Sequence, residues 1–125
     1  MTRCAIMQPT YLPWAGYFNL AARVDVFVFL DDVQFERRSW QSRNRILLPG
    51  REHLLTVPVC KASRETRIAD ILVDPHSSWR EAHWQTLATA YTKAPHGRQM
   101  LSLLEPLYTG SDARELAAWN QAIIE

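Results

Sequence analysis

The stretch from Ile6 to Ile46, IMQPTYLPWAGYFNLAARVDVFVFLDDVQFERRSWQSRNRI, decides the fold of this chain. It overlaps a short apolar run, Cys4–Met7, which predicts a first strand. Pro9 and Pro13 then exclude a regular element between them, because proline lacks a backbone N–H and biases the preceding residue towards extended geometry. The first strand is therefore expected to lead into an irregular loop rich in aromatic residues.

A helix and a second strand follow this loop. Gly16 lets the chain turn into the helix, whose apolar face is formed, at helical spacing, by Tyr17, Leu20, Ala21 and Val24. The five apolar residues 26–30 predict a strand that is buried on both faces. Strand, helix and strand in this order make a βαβ unit with parallel strands. Gln8–Tyr11 and Asp31–Gln34 are therefore expected to flank one crevice at the shared carboxyl edge of the sheet.

The rest of the chain predicts a hairpin, a further strand and three helices. The strand-like runs 43–48 and 53–59 are separated by a turn signal at Pro49-Gly50-Arg51-Glu52, and residues 68–73 predict another strand. Ser78-x-x-Glu81 predicts a capping box that opens the second helix. Apolar spacing predicts a third helix around 100–107 and a fourth that opens near 111–112 and runs to the end of the chain.

These elements predict the α/β class. We expect a Rossmann-like βαβ unit with a mostly parallel sheet, a projecting β-hairpin and a C-terminal group of helices, in a single domain of residues 1–125. The last helix ends on Ile123-Ile124-Glu125 without a cap, which predicts either that it docks on the sheet or that the intact protein continues.

Composition excludes several classes of protein. The chain has 125 residues, of which 47% are hydrophobic and 22% charged, as expected for one soluble globular domain. Its net charge of +1 gives no electrostatic reason to expect a nucleic-acid or membrane partner. Two cysteines are too few for a disulfide framework and lack the spacing of a zinc site. We therefore expect a cytoplasmic protein without metal or cofactor.

Five segments resemble the WbqC-like family. They are QPTYLPWAGYF (8–18), DVFVFLDDVQF (25–35), RNRI (43–46), LTVPV (55–59) and TKAP (92–95). The resemblance implies a bacterial protein encoded among genes for O-antigen and capsule. It also implies transfer of an acyl or aminoacyl group to an amino sugar carried on a nucleotide. Because the family continues well past these motifs, the chain resembles its N-terminal half.

A second resemblance concerns layout, and it is to pantothenate synthetases and other nucleotidyltransferases of the HIGH type. Trp14-Ala15-Gly16-Tyr17 stands where those enzymes carry His-x-Gly-His. Both histidines that stabilise the transferring phosphate are replaced by aromatic residues. Adenylyl transfer is therefore not expected, although a Rossmann-like fold is compatible with this segment.

Three residues are the catalytic candidates: Asp32, Asp31 and His83. The aspartates end the second strand, where one of them is expected to enter the crevice, because adjacent side chains on an extended segment point to opposite sides. Asp32 is preferred because it lies further into the loop. Either carboxylate could act as a general base or bind Mg²⁺ or a ribose hydroxyl. The structural alternatives are a strand-end turn or a cap paired with an arginine, and for His83 a packing role.

Seven residues are the substrate-binding candidates: Gln8, Tyr11, Trp14, Tyr17, Gln34, Asn44 and Arg45. A polar residue such as Gln8 at the end of a buried strand points to a ligand, and Trp14 is the candidate for stacking. Arg45 lies in a run of arginines that could hold a diphosphate or the phosphopantetheine of a carrier protein. For the two tyrosines the alternative is packing with the hydroxyl at the surface.

The leading hypothesis is a transferase of acyl or aminoacyl groups whose partners are a nucleotide-linked amino sugar and an acyl or peptidyl carrier protein. Nothing in the residues forms a nucleophile–base pair, so the expectation of catalysis rests mainly on the resemblance. One rival is a non-catalytic domain that binds the nucleotide sugar or the carrier. The other is a partner subunit whose missing half is supplied in trans. The oligomeric state stays open.

Overall fold

The chain forms a mixed α/β fold, which a computed structural model describes over residues 1–125. In chain order the elements are β1 (Cys4–Met7), α1 (Ala15–Ala22), β2 (Val26–Phe29), β3 (Arg43–Leu48), β4 (Arg51–Thr56), a short 3-10 helix (Ile68–Asp70), α2 (Trp79–Tyr91), α3 (Gly97–Gly110) and α4 (Leu116–Ile124). None of the helices has the length and apolar character that crossing a membrane requires.

The β1–α1–β2 unit has the predicted connection. Strands β1 and β2 pair in parallel, with Cys4 opposite Val26 and Met7 opposite Phe29, and α1 lies between them in sequence. The sheet contains only these two strands, and the prediction that β2 is buried on both faces is wrong, because Val26 and Val28 are 45% and 41% exposed. Nothing in this chain packs over that face.

Strands β3 and β4 form the predicted hairpin as a separate antiparallel sheet. Leu48 pairs with Arg51, so the turn consists of Pro49 and Gly50 alone and β4 begins two residues earlier than predicted. Proline holds φ near −65°, and Gly50 has a φ of 73°, which is the left-handed region that glycine reaches without steric cost. Since one two-stranded sheet is parallel and the other antiparallel, the expected mostly parallel sheet is not present.

Two local predictions are wrong. Residues 68–73 do not form a strand, because Ile68 and Ile71 are both buried and one turn of 3-10 helix places side chains three residues apart on the same side. Ser78 precedes α2 as expected, but its hydroxyl makes no capping hydrogen bond. Its ψ of 35° lies outside the extended geometry in which an N-cap side chain reaches the first turn.

The hydrophobic core is centred on aromatic side chains from the three C-terminal helices. Trp119 of α4 packs edge-on against Trp79 of α2 and Tyr108 of α3, with ring centroids 5.1 and 5.0 Å apart. The backbone N–H of Leu116 donates to the Ile71 carbonyl at 2.9 Å, which ties α4 to the 3-10 helix segment. Helix α4 therefore docks inside this fold, on the helices and the 3-10 segment.

Candidate functional site

A cavity of about 600 Å³ opens at the carboxyl ends of β1 and β2. Gln8 and Leu30, which directly follow the two strands, both line it. The backbone N–H of Leu30 donates to the Met7 carbonyl at 2.8 Å, so the strands are still paired where the cavity begins. The cavity thus lies at the edge where parallel α/β sheets bind their ligands.

Two exposed indole rings form walls of this cavity. Trp14 is 73% exposed and Trp40 is 51% exposed. The Trp14 ring rests against Gly16, where a Cβ atom would overlap the ring, so the glycine is required for this placement. Trp40 carries the Arg45 guanidinium over its ring, 5.7 Å from the centroid. Large apolar rings left open beside polar groups are typical of ligand sites.

The loop between β1 and α1 is held in a strained conformation. Leu12 has a φ of 46°, a left-handed value that is costly for a leucine. The Asn44 side chain fixes this geometry, since its Nδ2 donates to the carbonyls of Tyr11 at 3.2 Å and Leu12 at 2.6 Å. The Tyr11 N–H also donates to the Trp40 carbonyl at 2.9 Å. Strand β3 and its leading segment therefore hold the loop that carries Trp14.

Gln8 is positioned by a buried glutamine that sequence analysis did not identify. Gln41 donates through Nε2 to Gln8 Oε1 at 2.8 Å and accepts from the Glu36 N–H at 3.0 Å. Asn120 of α4 donates to the Gln41 carbonyl at 2.8 Å. No protein group accepts from the Gln8 Nε2, so this amide keeps both N–H donors for a ligand in the cavity.

Tyr17 closes the inner side of the cavity. Its hydroxyl donates to the Gln8 carbonyl at 2.9 Å, and its ring is buried against Phe27 with centroids 5.6 Å apart. Burial raises the pKa of Tyr17 to about 12, so the phenol is neutral at physiological pH. Tyr17 therefore supports the strand end from which Gln8 projects.

Tyr11 and His83 lie in the core, on the other side of the loop. The Tyr11 hydroxyl contacts His83 Nδ1 at 2.8 Å and the Tyr108 hydroxyl at 2.5 Å, and Tyr11 is fully buried. Burial lowers the pKa of His83 to about 4. Neither residue lines the cavity, and a buried neutral imidazole whose Nδ1 is bonded to Tyr11 favours packing over general-base catalysis.

The two aspartates do not line the cavity either, contrary to the expected shared crevice. The Asp31 carboxylate accepts from Gln121 Nε2 at 3.1 Å, and its carbonyl accepts from the Ala69 N–H at 2.8 Å. Helix α4 and the 3-10 segment thus draw Asp31 towards themselves. Asp32 is exposed and has no hydrogen-bond partner, and Gln34 is exposed beside Arg67 in an isolated bridge. No three His, Cys, Asp or Glu side chains converge as metal ligands.

A larger, mainly apolar cavity of about 1000 Å³ adjoins the first. Pro13, Trp14 and Asn44 line both cavities, so the strained loop separates them. Arg45 lies on the rim of the larger one, where it is exposed and its Nη1 is 3.7 Å from Glu52 Oε2. Such an exposed ion pair is weak and leaves the guanidinium available to another anion.

Trp40, Tyr108 and Gln41 were not predicted as site residues from the sequence. Trp40 stands between the polar residues Ser39 and Gln41, which could have pointed to a ring outside the core. Tyr108 and Gln41 carry no local signal. Their partners are Tyr11, which lies 97 residues away from Tyr108, and Gln8, which lies 33 residues away from Gln41.

Comparison with known proteins assigns the family. A model of the WbqC-like protein family matches residues 8–125. The chain belongs to that family. This WbqC-like protein is also 36% identical over 125 residues to an uncharacterized protein of Mycobacterium tuberculosis. The match covers 99% of this chain and 54% of the relative, so the chain spans about half the length of the mycobacterial protein. No solved structure matches the chain.

Proposed function

We propose that this WbqC-like protein binds a nucleotide-linked amino sugar in the cavity at the ends of β1 and β2. One observation carries the proposal: two exposed indoles, Trp14 and Trp40, face the free amide donors of Gln8 at the carboxyl ends of parallel strands. As part of this proposal, the β1–α1–β2 unit is a Rossmann-like nucleotide-binding unit, because such units bind nucleotides at the carboxyl ends of their strands.

Each part of the ligand has a group of matching chemistry. A nucleobase has a π-face that stacks on an indole ring, which Trp40 or Trp14 supplies. The hydroxyl and amino groups of a sugar suit the Gln8 amide and the Thr10 hydroxyl, which also lines the cavity. Arg45 does not line this cavity, but its guanidinium lies over one face of the Trp40 ring, so it could meet the diphosphate of a base that stacks on the other face.

The reaction we propose is acyl or aminoacyl transfer to the amine of that sugar, as the family resemblance implies for surface polysaccharide biosynthesis. The amine attacks the acyl carbonyl, a carrier departs, and a general base takes the amine proton. Asp32 is the proposed base because its carboxylate, in the loop that follows β2, is exposed and unbonded, whereas Asp31 accepts from Gln121. Asp32 does not line the cavity, so the proposal requires this loop to carry the carboxylate to the amine. The rival proposal, a non-catalytic binding domain, predicts the same binding without turnover.

Removing either indole is expected to weaken nucleotide-sugar binding. We expect Trp14→Ala or Trp40→Ala to cost about 1–3 kcal/mol, or roughly 5- to 150-fold in Kd, because each would lose a stacking surface. Calorimetric titration with UDP- or dTDP-linked amino sugars measures this. The melting temperature should stay within a few degrees of wild type, since both rings are largely exposed.

The matched control is Leu47→Ala, an exposed apolar position on the hairpin that lines neither cavity. It should bind the ligand like wild type. Wild-type protein that binds no nucleotide sugar, or unchanged affinity in both tryptophan variants, would show that the cavity is not a nucleotide-sugar site.

Replacing Arg45 tests the diphosphate contact. Arg45→Ala is expected to lose about 1–3 kcal/mol of binding free energy, as for a charge-assisted hydrogen bond. It should also reduce the dependence of Kd on salt, because one exposed phosphate contact is removed. Arg51→Ala, another exposed arginine of the hairpin, is the control and should change neither quantity. Equal affinity and equal salt dependence in the Arg45 variant would leave Arg45 as a surface charge.

A further inference from the structure

One face of the β1–β2 sheet is apolar and bare. The parallel register places Cys4 opposite Val26 and Ile6 opposite Val28, so all four side chains point to the same side. Ile6 is 59% exposed, Val26 45% and Val28 41%, and Cys4 is exposed as well. These four residues, called here the bare sheet face, form a patch of three β-branched aliphatic side chains and one thiol.

The opposite face of the β1–β2 sheet is covered by other parts of the chain, so only one of its two faces is exposed. Ala5 is buried there, and Phe27 packs against Tyr17 of α1. Parallel sheets are almost always covered on both faces, and a sheet of two strands is marginal in water. Both strands are also edge strands, since the sheet contains no third strand, so each has an open row of backbone donors and acceptors.

The chemistry of the patch points to a protein partner. None of the four side chains of the bare sheet face is charged, and the nearby ion pair of Arg3 with Asp25 lies at the strand starts. A surface of this kind gains free energy by burial against apolar side chains and by strand pairing. An anionic ligand finds no counter-charge on it.

We propose that the bare sheet face is the docking surface for a second structural unit. This unit corresponds to the part of the mycobacterial relative that the present chain does not match, which is nearly half of that protein. It adds a strand to an open edge of the β1–β2 sheet and covers Ile6, Val26 and Val28 with a helix. Ile6 also lines the smaller cavity, so this unit would border that cavity, but the inference does not rest on the proposed function.

A second copy of this chain is the weaker alternative. A stable interface buries about 800 Å² on each partner, and the few half-exposed side chains of the bare sheet face fall well short of that area. Two copies that pack face to face through the bare sheet face would form no backbone hydrogen bonds, whereas a strand added at an open edge forms them. The unmatched half of the relative is long enough to provide both a strand and a covering helix.

The test uses this chain alone and a full-length chimera in which it replaces the matched residues of the mycobacterial relative. Cys4 is a natural reporter of the bare sheet face, and Cys60→Ser removes the other thiol. We expect Cys4 to react rapidly with a thiol reagent in the chain alone and at least about tenfold more slowly in the chimera, because the second unit excludes the reagent.

Val28→Asp is the matching variant. It should leave the melting temperature of the chain alone almost unchanged and lower that of the chimera by roughly 10 °C, because it buries an unpaired charge only there. Leu47→Asp, on the exposed hairpin, should change neither. Val28 lines neither cavity, so nucleotide-sugar binding by the Val28→Asp chain tests the proposed function separately.

Three results would overturn the proposal. The first is a folded chimera in which Cys4 stays equally reactive and Val28→Asp is harmless. The second is a dimer of the chain alone that Val28→Asp dissociates, which would assign the face to a second copy. The third applies if the chimera does not fold, and it is measured by hydrogen exchange on the full-length relative. Fast exchange of the amides that match β1 and β2 would show that no second unit covers these strands.

Discussion

Replacing Asn44 with alanine is expected to lower the free energy of unfolding by about 2–4 kcal/mol, because two backbone carbonyls would lose their donor. Asn44 Nδ2 holds the carbonyls of Tyr11 and Leu12, and the second of these residues has a left-handed φ of 46°. Without the amide, the loop is expected to relax towards an unstrained conformation and carry Trp14 away from the cavity. Chemical denaturation and nucleotide-sugar titration measure the two effects.

Asn44→Asp sharpens this prediction. It keeps the size of the side chain and an oxygen for the Arg45 N–H, which now donates to Asn44 Oδ1 at 2.7 Å. The carboxylate cannot donate, however, and would face two carbonyl oxygens, so it should destabilise at least as much as alanine. Asn19→Ala, on the exposed surface of α1, is the matched control and should cost less than about 0.5 kcal/mol.

Two outcomes would contradict this role of Asn44. One is that Asn44→Asp is as stable as wild type, which would mean that the amide hydrogens are not needed. The other is that Asn44→Ala loses stability but binds the nucleotide sugar with unchanged affinity. In that case the loop would be a structural feature, and the cavity wall would not depend on its strained geometry.

Acid is expected to destabilise the protein through His83. Burial lowers the pKa of His83 to about 4 in the folded chain, below its ordinary value of 6.5. Between these values the unfolded chain binds a proton that the folded chain does not, so stability falls as the pH falls. The contribution of His83 to the free energy of unfolding is fully present above about pH 7. We expect it to decrease by roughly 2–3 kcal/mol by pH 4.5. Urea denaturation at a series of pH values measures the slope.

His83→Gln distinguishes the contribution of His83 to the acid sensitivity from that of the carboxylates, which also titrate in acid. Glutamine can hydrogen-bond the Tyr11 hydroxyl as His83 does, but it does not titrate. The variant should lose most of the slope between pH 5 and pH 6.5. His76→Gln, at an exposed position, should retain it. An unchanged slope in the His83 variant would place the acid sensitivity elsewhere.

Most of the local elements of the fold could be predicted from the sequence. The parallel β1–α1–β2 unit, the hairpin and the helices α2 to α4 follow from apolar spacing and from Pro and Gly at turns. The predictions failed where tertiary contacts favour a conformation other than the one that the local pattern indicates. Residues 68–73 look like a strand, but burial of Ile68 and Ile71 on one side imposes a 3-10 turn. Val26–Phe29 was predicted to be fully buried because a continuous run of apolar residues is typical of a strand in a sheet that is covered on both faces.

The candidate site shows the same division. Gln8, Trp14, Tyr17 and Asn44 line the cavity, and each could be proposed from its position after a strand or inside a motif. Tyr11 and His83 were proposed on the same grounds but lie in the core. Asp31 turns towards α4 because Gln121, 90 residues later in the chain, donates to it. No window of sequence contains that contact.

The sequence by itself determined the order and type of most of the elements, the family, and the place where polar residues follow parallel strands. These properties depend on interactions between near neighbours, such as helical spacing, proline geometry and turn glycines. Only the tertiary structure decided which of those polar residues share a cavity, because that depends on long-range hydrogen bonds. Asn44 holding the Tyr11–Leu12 loop and Gln41 holding Gln8 are contacts of this kind, and folding brings their partners together across 33 residues.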